Sequence, residues 1–188
     1  MNRAPLLATA AALWLWAAPA LAAAAAPAAP DEPPAAGSEG WREARSGSGG
    51  FSVQMPAPFN DFNRTGGEKD GEAVTINGLE AIVPAAFGTV QTWQAVCVDY
   101  LARVPTEDWA FSDATIEHEA NGNLRWKRRV SVDGHPALDF AVSDGKRSVR
   151  SRVILLGRRV CTTAVNYPLV DPISDADAER FVASFKAH

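Results

Sequence analysis

The stretch from residue 124 to residue 188 constrains the fold most, because it alternates strand-like runs with turn signals. The β-favouring runs are separated by DGHP at 133–136 and by SDGK at 143–146. Turn residues of this kind between such runs indicate β-hairpins. We therefore predict consecutive strands from Leu124 to Pro168.

A helix is predicted to follow these strands, from Ser174 to Lys186. Ser174 can accept a hydrogen bond from a backbone N–H of the first turn. The apolar side chains then recur at spacings of three and four, which places them on one face of a helix. That face carries Ala178, Phe181, Val182 and Phe185. We expect both phenylalanines to lie in the core.

The region before residue 124 contributes further strands and another helix. FSVQMP (51–56) predicts a strand, residues 58–72 a loop, and residues 73–84 one or two strands around the hairpin signal Asn77-Gly78. Residues 89–101 are apolar at both parities, as in a central strand. Thr106 begins a helix that ends near residue 121, with an apolar stripe of Trp109, Ile116 and Ala120. The predicted class is α+β, a mostly antiparallel twisted sheet flanked by helices.

The N-terminal region predicts export. Residues 1–22 resemble a signal peptide, with Arg3, an apolar core from Leu6 to Ala18, and a small-residue cleavage site. Residues 23–40 are rich in Ala, Pro and Gly and predict a disordered tether. Residues 41–188 then form one globular domain. We expect a periplasmic or secreted protein with no membrane span after cleavage; an uncleaved N-terminal anchor is the alternative.

The charge of the chain argues against nucleic-acid binding. There are 18 basic and 22 acidic residues, and loss of Arg3 with the signal leaves 17 basic residues and a net charge of −5. An acidic domain of this kind repels nucleic-acid phosphates.

The two cysteines, Cys97 and Cys161, both lie in predicted strands. An even cysteine count in an exported domain favours a disulfide. Two buried free thiols are the alternative, because thiols also pack as small apolar groups.

A cluster of basic residues is the best candidate for a ligand-binding surface. Arg125, Lys127 and Arg129 alternate along one predicted strand, and Arg150 and Arg152 alternate along another. If these strands are neighbours, four or five cations converge on one face and could bind an anionic ligand in the cell envelope. The competing interpretation is that acidic residues neutralise them across the sheet.

The sequence shows no catalytic or metal-binding motif. His118, His135 and His188 are far apart, and Glu117-His118-Glu119 lacks the second histidine of a zinc motif. Cys161 with His135 is the one nucleophile and base pair that the sequence suggests. We predict no catalytic residues, no metal and no cofactor.

The order of elements and three motifs together resemble the PsbP-like fold, which many small exported bacterial domains share. The motifs are Gly134-His135-Pro136-Ala137, Gly157-Arg158-Arg159-Val160 and the ending Phe181-Val182-Ala183-Ser184-Phe185. The resemblance spans Phe51 to Phe185 and departs from the usual pattern at Ala137 and Cys161. It implies an α/β/α sandwich.

The resemblance also implies a binding or accessory role rather than catalysis. The sequence therefore favours an exported, non-enzymatic domain with an unknown protein partner. The alternatives are an anionic-ligand-binding protein that uses the basic strand face, and a hydrolase or thiol enzyme with an unrecognised site.

Overall fold

A seven-stranded antiparallel sheet is the main element of the fold. The computed structural model describes residues 40–56, 58–69 and 71–188. The predicted signal peptide (1–22) and residues 23–39 of the predicted tether lie outside the described residues. The helices are α1 (Glu107–Ala120) and α2 (Asp175–Ala183). The strands are β1 (Arg42–Ser46), β2 (Phe51–Met55), β3 (Asn60–Lys69), β4 (Glu72–Pro84), β5 (Val90–Tyr100), β6 (Leu124–Val132), β7 (His135–Ser143), β8 (Arg147–Leu156), β9 (Arg159–Pro168) and β10 (Lys186–Ala187).

The large sheet consists of two meanders joined side by side. Its strand order is β3-β4-β5-β9-β8-β7-β6, and every neighbouring pair is antiparallel. Strands β3 to β5 are consecutive in the chain, and so are β6 to β9, so the pairing of β5 with β9 is the joint between them. A smaller sheet has the order β1-β2-β10.

The two faces of the large sheet are covered by different elements. On one face, α2 and the small sheet pack against β4, β5 and β9 in the main core, which includes Phe51, Trp93 and Phe181. On the other face, α1 packs against β7 and β8 through Phe111 and neighbours such as Leu138 and Val153. These layers are the predicted α+β architecture with a helix on each side.

Strand β3 and the middle of β4 differ from the sequence prediction. Residues 58–72 were expected to form a loop, but Asn60–Lys69 pairs with β4. The Asn77-Gly78 signal does not form a turn, because β4 continues through both residues. At Gly78 a Cβ atom would lie 2.2 Å from the Phe62 ring, so any larger residue there would have to displace the ring packed on the strand. Asn77 is buried and accepts a hydrogen bond from Ser48 at 2.8 Å.

Both helices form, but their buried residues or ends differ in detail. Thr106 caps α1 by accepting a hydrogen bond from the N–H of Trp109. The buried residues of α1 are Ala110, Phe111 and Thr115, whereas the predicted stripe residue Ile116 is exposed. The stripe was therefore misplaced by about one residue around the helix.

The C-terminal helix is shorter than predicted because the chain turns back into a strand. α2 ends at Ala183, and Lys186–Ala187 pairs with β2. The predicted core residues Phe181 and Phe185 are both buried. The terminal residue, His188, donates its backbone N–H to the carbonyl of Gly50 at 2.8 Å.

Cys97 and Cys161 form the predicted disulfide. They are direct partners in the register of β5 and β9, with their Cα atoms 4.0 Å apart. Both residues are buried in the main core. The bond therefore links the two meanders at their joint.

Loss of the disulfide is expected to destabilise the domain. The double variant Cys97→Ala, Cys161→Ala should lose about 3 kcal/mol of unfolding free energy, because the bond restricts a 64-residue loop in the unfolded chain. Urea unfolding measures the change, and reduced wild-type protein is the control that should show a similar loss. A double variant as stable as the oxidised protein would contradict the expectation.

Two identical substitutions at contrasting sites test the core assignment. Phe181→Ala should cost about 3–5 kcal/mol of unfolding free energy, since Phe181 is fully buried between Trp93 and the sheet. Phe87→Ala is the matched control, because the Phe87 side chain is exposed. Equal unfolding free energies for the two variants would contradict this packing.

Candidate functional site

The five basic residues singled out by the sequence lie on two strands that are not neighbours. Arg125, Lys127 and Arg129 belong to β6, while Arg150 and Arg152 belong to β8. Strand β7 lies between them. The condition under which the five cations would converge on one face is therefore not met.

The two groups also face opposite sides of the sheet. Lys127 and Arg129 pair in register with Phe140 and Leu138, which contact α1. Arg152 faces α2, where its guanidinium donates to the carbonyl of Val182. Arg125 occupies a β-bulge and donates to the carbonyl of Ser143. Whether any of the five residues binds a ligand stays a prediction.

On the α1 side, carboxylates of α1 neutralise the cations of β6. Lys127 Nζ lies 2.6 Å from Glu119 Oε1. Arg129 forms ion pairs with Glu107 and, at 3.0 Å, with Asp108. These pairs cross a depression of about 490 Å³ between α1 and β6, whose lining includes Phe111 and Leu138. The neutralisation matches the competing sequence interpretation of the basic cluster.

On the α2 side, Asp139 is the centre of a buried ionic network. Its carboxylate is 2% exposed and accepts two hydrogen bonds from Arg152, at 2.6 and 2.9 Å. Arg128 donates a third hydrogen bond to it at 3.3 Å. Glu179 of α2 lies 3.1 Å from Arg150 and 3.6 Å from Arg152. The network therefore connects β6, β7, β8 and α2.

Burial and hydrogen bonding act in opposite directions on Asp139. Burial alone would raise the pKa of the Asp139 carboxyl, but the hydrogen bonds and charges of Arg152 and Arg128 hold that pKa below its ordinary value. Hydrogen bonds to Asp139 likewise raise the pKa of the Arg152 guanidinium. Both groups are therefore charged at neutral pH.

A platform of four residues lies at the solvent side of this network. The guanidinium of Arg150 stacks over the Trp126 ring, 4.4 Å from its centroid, in a cation–π contact. With Arg128 and Glu179, these residues line a depression of about 420 Å³. The Arg128 side chain is 64% exposed, so most of its donors face solvent. We call these four residues the Trp–Arg platform.

Sequence reasoning missed three of the four platform residues, Trp126, Arg128 and Glu179. The prediction selected positions 125, 127 and 129 of β6. The residues at the alternate positions, Trp126 and Arg128, are the ones that share a face with Arg150. Their register shows this, because Trp126 pairs with Ala141 and Ala141 pairs with Arg150. An exposed tryptophan between basic residues was the available signal.

The basic residues of β6 also have a structural explanation. Among the described residues, no strand pairs with the outer edge of β6. Charged side chains and a bulge on an edge strand prevent unwanted pairing with other chains. Arg125, Lys127, Arg128 and Arg129, with the bulge at Arg125, provide both features.

The structure offers little support for nucleophilic catalysis. The Sγ atom of Cys161 is part of the disulfide, so the predicted pair with His135 lacks a thiol. Ser52 lies 2.9 Å from Nε2 of His188, but its side chain is buried and closed to substrate. Within the part of the chain that the structure covers, no cluster of three His, Cys, Asp or Glu residues could hold a metal. None of the helices in that part is long and apolar enough to cross a membrane.

The ionic network should make stability depend on pH. Because the pKa of Asp139 is lower in the folded protein than in the unfolded chain, its contribution is present above the unfolded value, about 3.9, and is lost as pH falls through the folded value. Asp139→Asn should therefore lower the unfolding free energy by about 3 kcal/mol at neutral pH, with the difference shrinking in acid.

Asp108→Asn is the matched control, since that carboxylate is highly exposed and its ion pair should contribute about 0.5 kcal/mol or less. Chemical unfolding across the pH range measures both variants. If the difference in unfolding free energy between Asp139→Asn and wild type stayed constant down to strong acid, the assignment would be contradicted.

Comparison with known proteins identifies the fold. No protein-family model and no curated protein matches the chain. The solution structure of cyanobacterial PsbP (CyanoP) from Synechocystis superposes with a TM-score of 0.50 at 10% sequence identity, covering 84% of this chain and 98% of that one. A crystal structure from Bacteroides thetaiotaomicron gives a TM-score of 0.37 at 13% identity, covering 74% of this chain and 45% of that one. The chain has the PsbP-like fold that its sequence motifs predict.

Proposed function

We propose that this protein is a non-enzymatic accessory domain that acts outside the cytoplasm and binds a partner protein through the Trp–Arg platform. The observation that carries the proposal is the exposed Trp126, with the Arg150 guanidinium stacked over its ring and Arg128 lining the same depression. Tryptophan and arginine are the residues most enriched among those that dominate binding energy at protein interfaces.

Contacts within the domain already hold the arginine side chains of the platform in place. Arg150 is fixed on one side by the Trp126 ring and on the other by Glu179, 3.1 Å away. Arg128 is directed by its hydrogen bond to Asp139, itself fixed by Arg152. Side chains already held in one conformation lose less entropy on binding, which improves affinity.

The charge balance favours a protein over a small anion. Every basic residue of the original prediction, except Arg125, has a carboxylate partner within the domain. A small anion would have to compete with those carboxylates. A protein surface can instead cover the tryptophan ring and supply acceptors to the exposed donors of Arg128.

The location outside the cytoplasm rests on two features. The buried disulfide between Cys97 and Cys161 is typical of oxidising compartments. The signal-like sequence of residues 1–22 predicts export to the periplasm or beyond. We infer the absence of enzymatic activity from the oxidised state of Cys161 and the burial of Ser52.

Site-specific photo-crosslinking in the cells that produce the protein tests the platform. A benzophenone amino acid at position 126 should give a covalent adduct with one protein. The same probe at position 45, on the exposed Arg45 side chain of β1, should not. Adding Arg128→Ala should reduce the adduct at position 126 about fivefold or more, because interface arginines commonly contribute over 1 kcal/mol.

Equal adducts at positions 126 and 45, or an adduct unaffected by Arg128→Ala, would contradict the proposal. Circular dichroism and urea unfolding of each variant serve as the fold control. Arg128 is mostly exposed, so Arg128→Ala should leave the overall fold intact.

A further inference from the structure

A patch of exposed apolar side chains lies at one end of the large sheet, away from the Trp–Arg platform. Among the described residues, nine large hydrophobic side chains are exposed, and five of them belong to this patch. Phe87 is 87% exposed and Val170 is 62% exposed. We call the patch the apolar end; its members are Ile82, Phe87, Val90, Leu169 and Val170.

Hydrogen bonds join the turns that carry Phe87, Leu169 and Val170. Phe87 lies in the turn between β4 and β5, and Leu169 and Val170 lie in the loop after β9. The N–H of Ala86 donates to the carboxylate of Asp171 at 2.8 Å, which joins the turn to the loop. The loop is also joined to the β7–β8 turn, because the N–H of Leu169 donates to the carbonyl of Lys146.

The backbone conformation of the turn leaves the Phe87 side chain exposed to solvent. Phe87 has φ of 56°, a left-handed conformation that is unfavourable for a residue with a side chain. Hydrogen bonds from Ala85 N–H to Thr89 O and from Thr89 N–H to Ala86 O maintain it. An unfavourable conformation that presents an apolar ring without burying it is typical of a binding surface.

We propose that the apolar end inserts into the surface of a lipid bilayer. Three of the side chains are exposed on two adjoining turns, and Ile82 and Val90 are exposed on the strands beside them. The two depressions described above lie elsewhere, beside β6. A projecting apolar turn needs no complementary groove in a bilayer, because the lipid headgroup and acyl region deforms around it. Phe, Leu, Ile and Val are the side chains that enter this region most favourably.

The path of the chain supports the bilayer over a protein as the occupant. Trp41, just before β1, packs against Trp93, which lies three residues beyond Val90 in β5. From there β1 runs away from the apolar end, because the turn after it reaches Arg159 and Asp99 at the other end of β5. The chain therefore enters the domain near the apolar end. The segment that precedes this entry includes the apolar run Leu6–Ala18. If that run is kept as the uncleaved anchor, the chain enters the domain at its apolar end.

The charges nearby predict which lipids bind. Asp171 lies in the loop itself, and Asp175 and Asp177 follow in the first turn of α2. The adjoining turn carries the cations Lys146 and Arg147, the latter donating to the carbonyl of Val90, together with the carboxylate of Asp144. Since carboxylates outnumber cations here, anionic lipids gain nothing, and binding should depend on apolar insertion into zwitterionic lipid. High salt, which screens charge, should leave such binding unchanged.

Hydrogen exchange of the full chain on phosphatidylcholine vesicles tests the proposal. On vesicles, amide exchange in residues 85–90 and 169–171 should slow by about fivefold or more, because insertion removes these turns from water. Phe87→Asp with Val170→Asp should abolish this protection. Ile116→Asp on α1 is the control, a charge placed on an exposed apolar residue elsewhere, and should retain it.

The use of exchange rather than vesicle binding separates the apolar end from the N-terminal segment. If residues 1–39 hold the protein on vesicles while both turns exchange at their rates in solution, the proposal is overturned. Protection in native membranes but not in protein-free vesicles would also overturn it and would assign the apolar end to a membrane protein. Urea unfolding should show that the double variant is as stable as wild type. These outcomes are independent of crosslinking at position 126.

Discussion

The pairing of β5 with β9 is the contact on which the rest of the structure depends. Each meander of the large sheet is built from hairpins between consecutive strands, which form from local sequence. Joining the meanders requires closing a long loop. The conformational entropy lost in that closure must be offset by the contacts between β5 and β9. The Cys97–Cys161 bond lies there, and Phe181 and Trp93 pack beside it. The disulfide thus stabilises the least local step of folding.

The same distinction between local and distant contacts explains what the sequence could predict. The helix caps at Thr106 and Ser174 and the hairpin turns at 133–136 and 143–146 are encoded within a few residues, and they form as predicted. The turn predicted at Asn77-Gly78 was wrong because Gly78 makes room for the ring of Phe62, a residue on another strand. β10 was missed because the pairing of Lys186 with Ser52 is specified only once α2 has packed.

The candidate site was harder to predict because side-chain direction depends on strand order and register. Alternation correctly placed Lys127 and Arg129 together, but it could not show that β7 separates β6 from β8. Nor could it show that the bulge at Arg125 changes the register with β7. The charges neutralise one another across elements that are distant in sequence, as between Arg150 and Glu179. The alternation of basic residues suggested one basic face, whereas in the fold these residues lie on two faces and each of them except Arg125 pairs with a carboxylate.

The small sheet fixes where the described part of the chain begins and where it ends. β1 and β10 both pair with β2 and run parallel to each other, yet residue 42 lies opposite Met55 whereas residue 187 lies opposite Phe51. Residues 42 and 187 therefore lie at opposite ends of β2. Met55 and Phe51 are four residues apart, so the two positions are offset by about 13 Å along the small sheet at about 3.3 Å per residue. The small sheet therefore holds the first and the last strand of the described domain at opposite ends of β2, with a fixed offset between them.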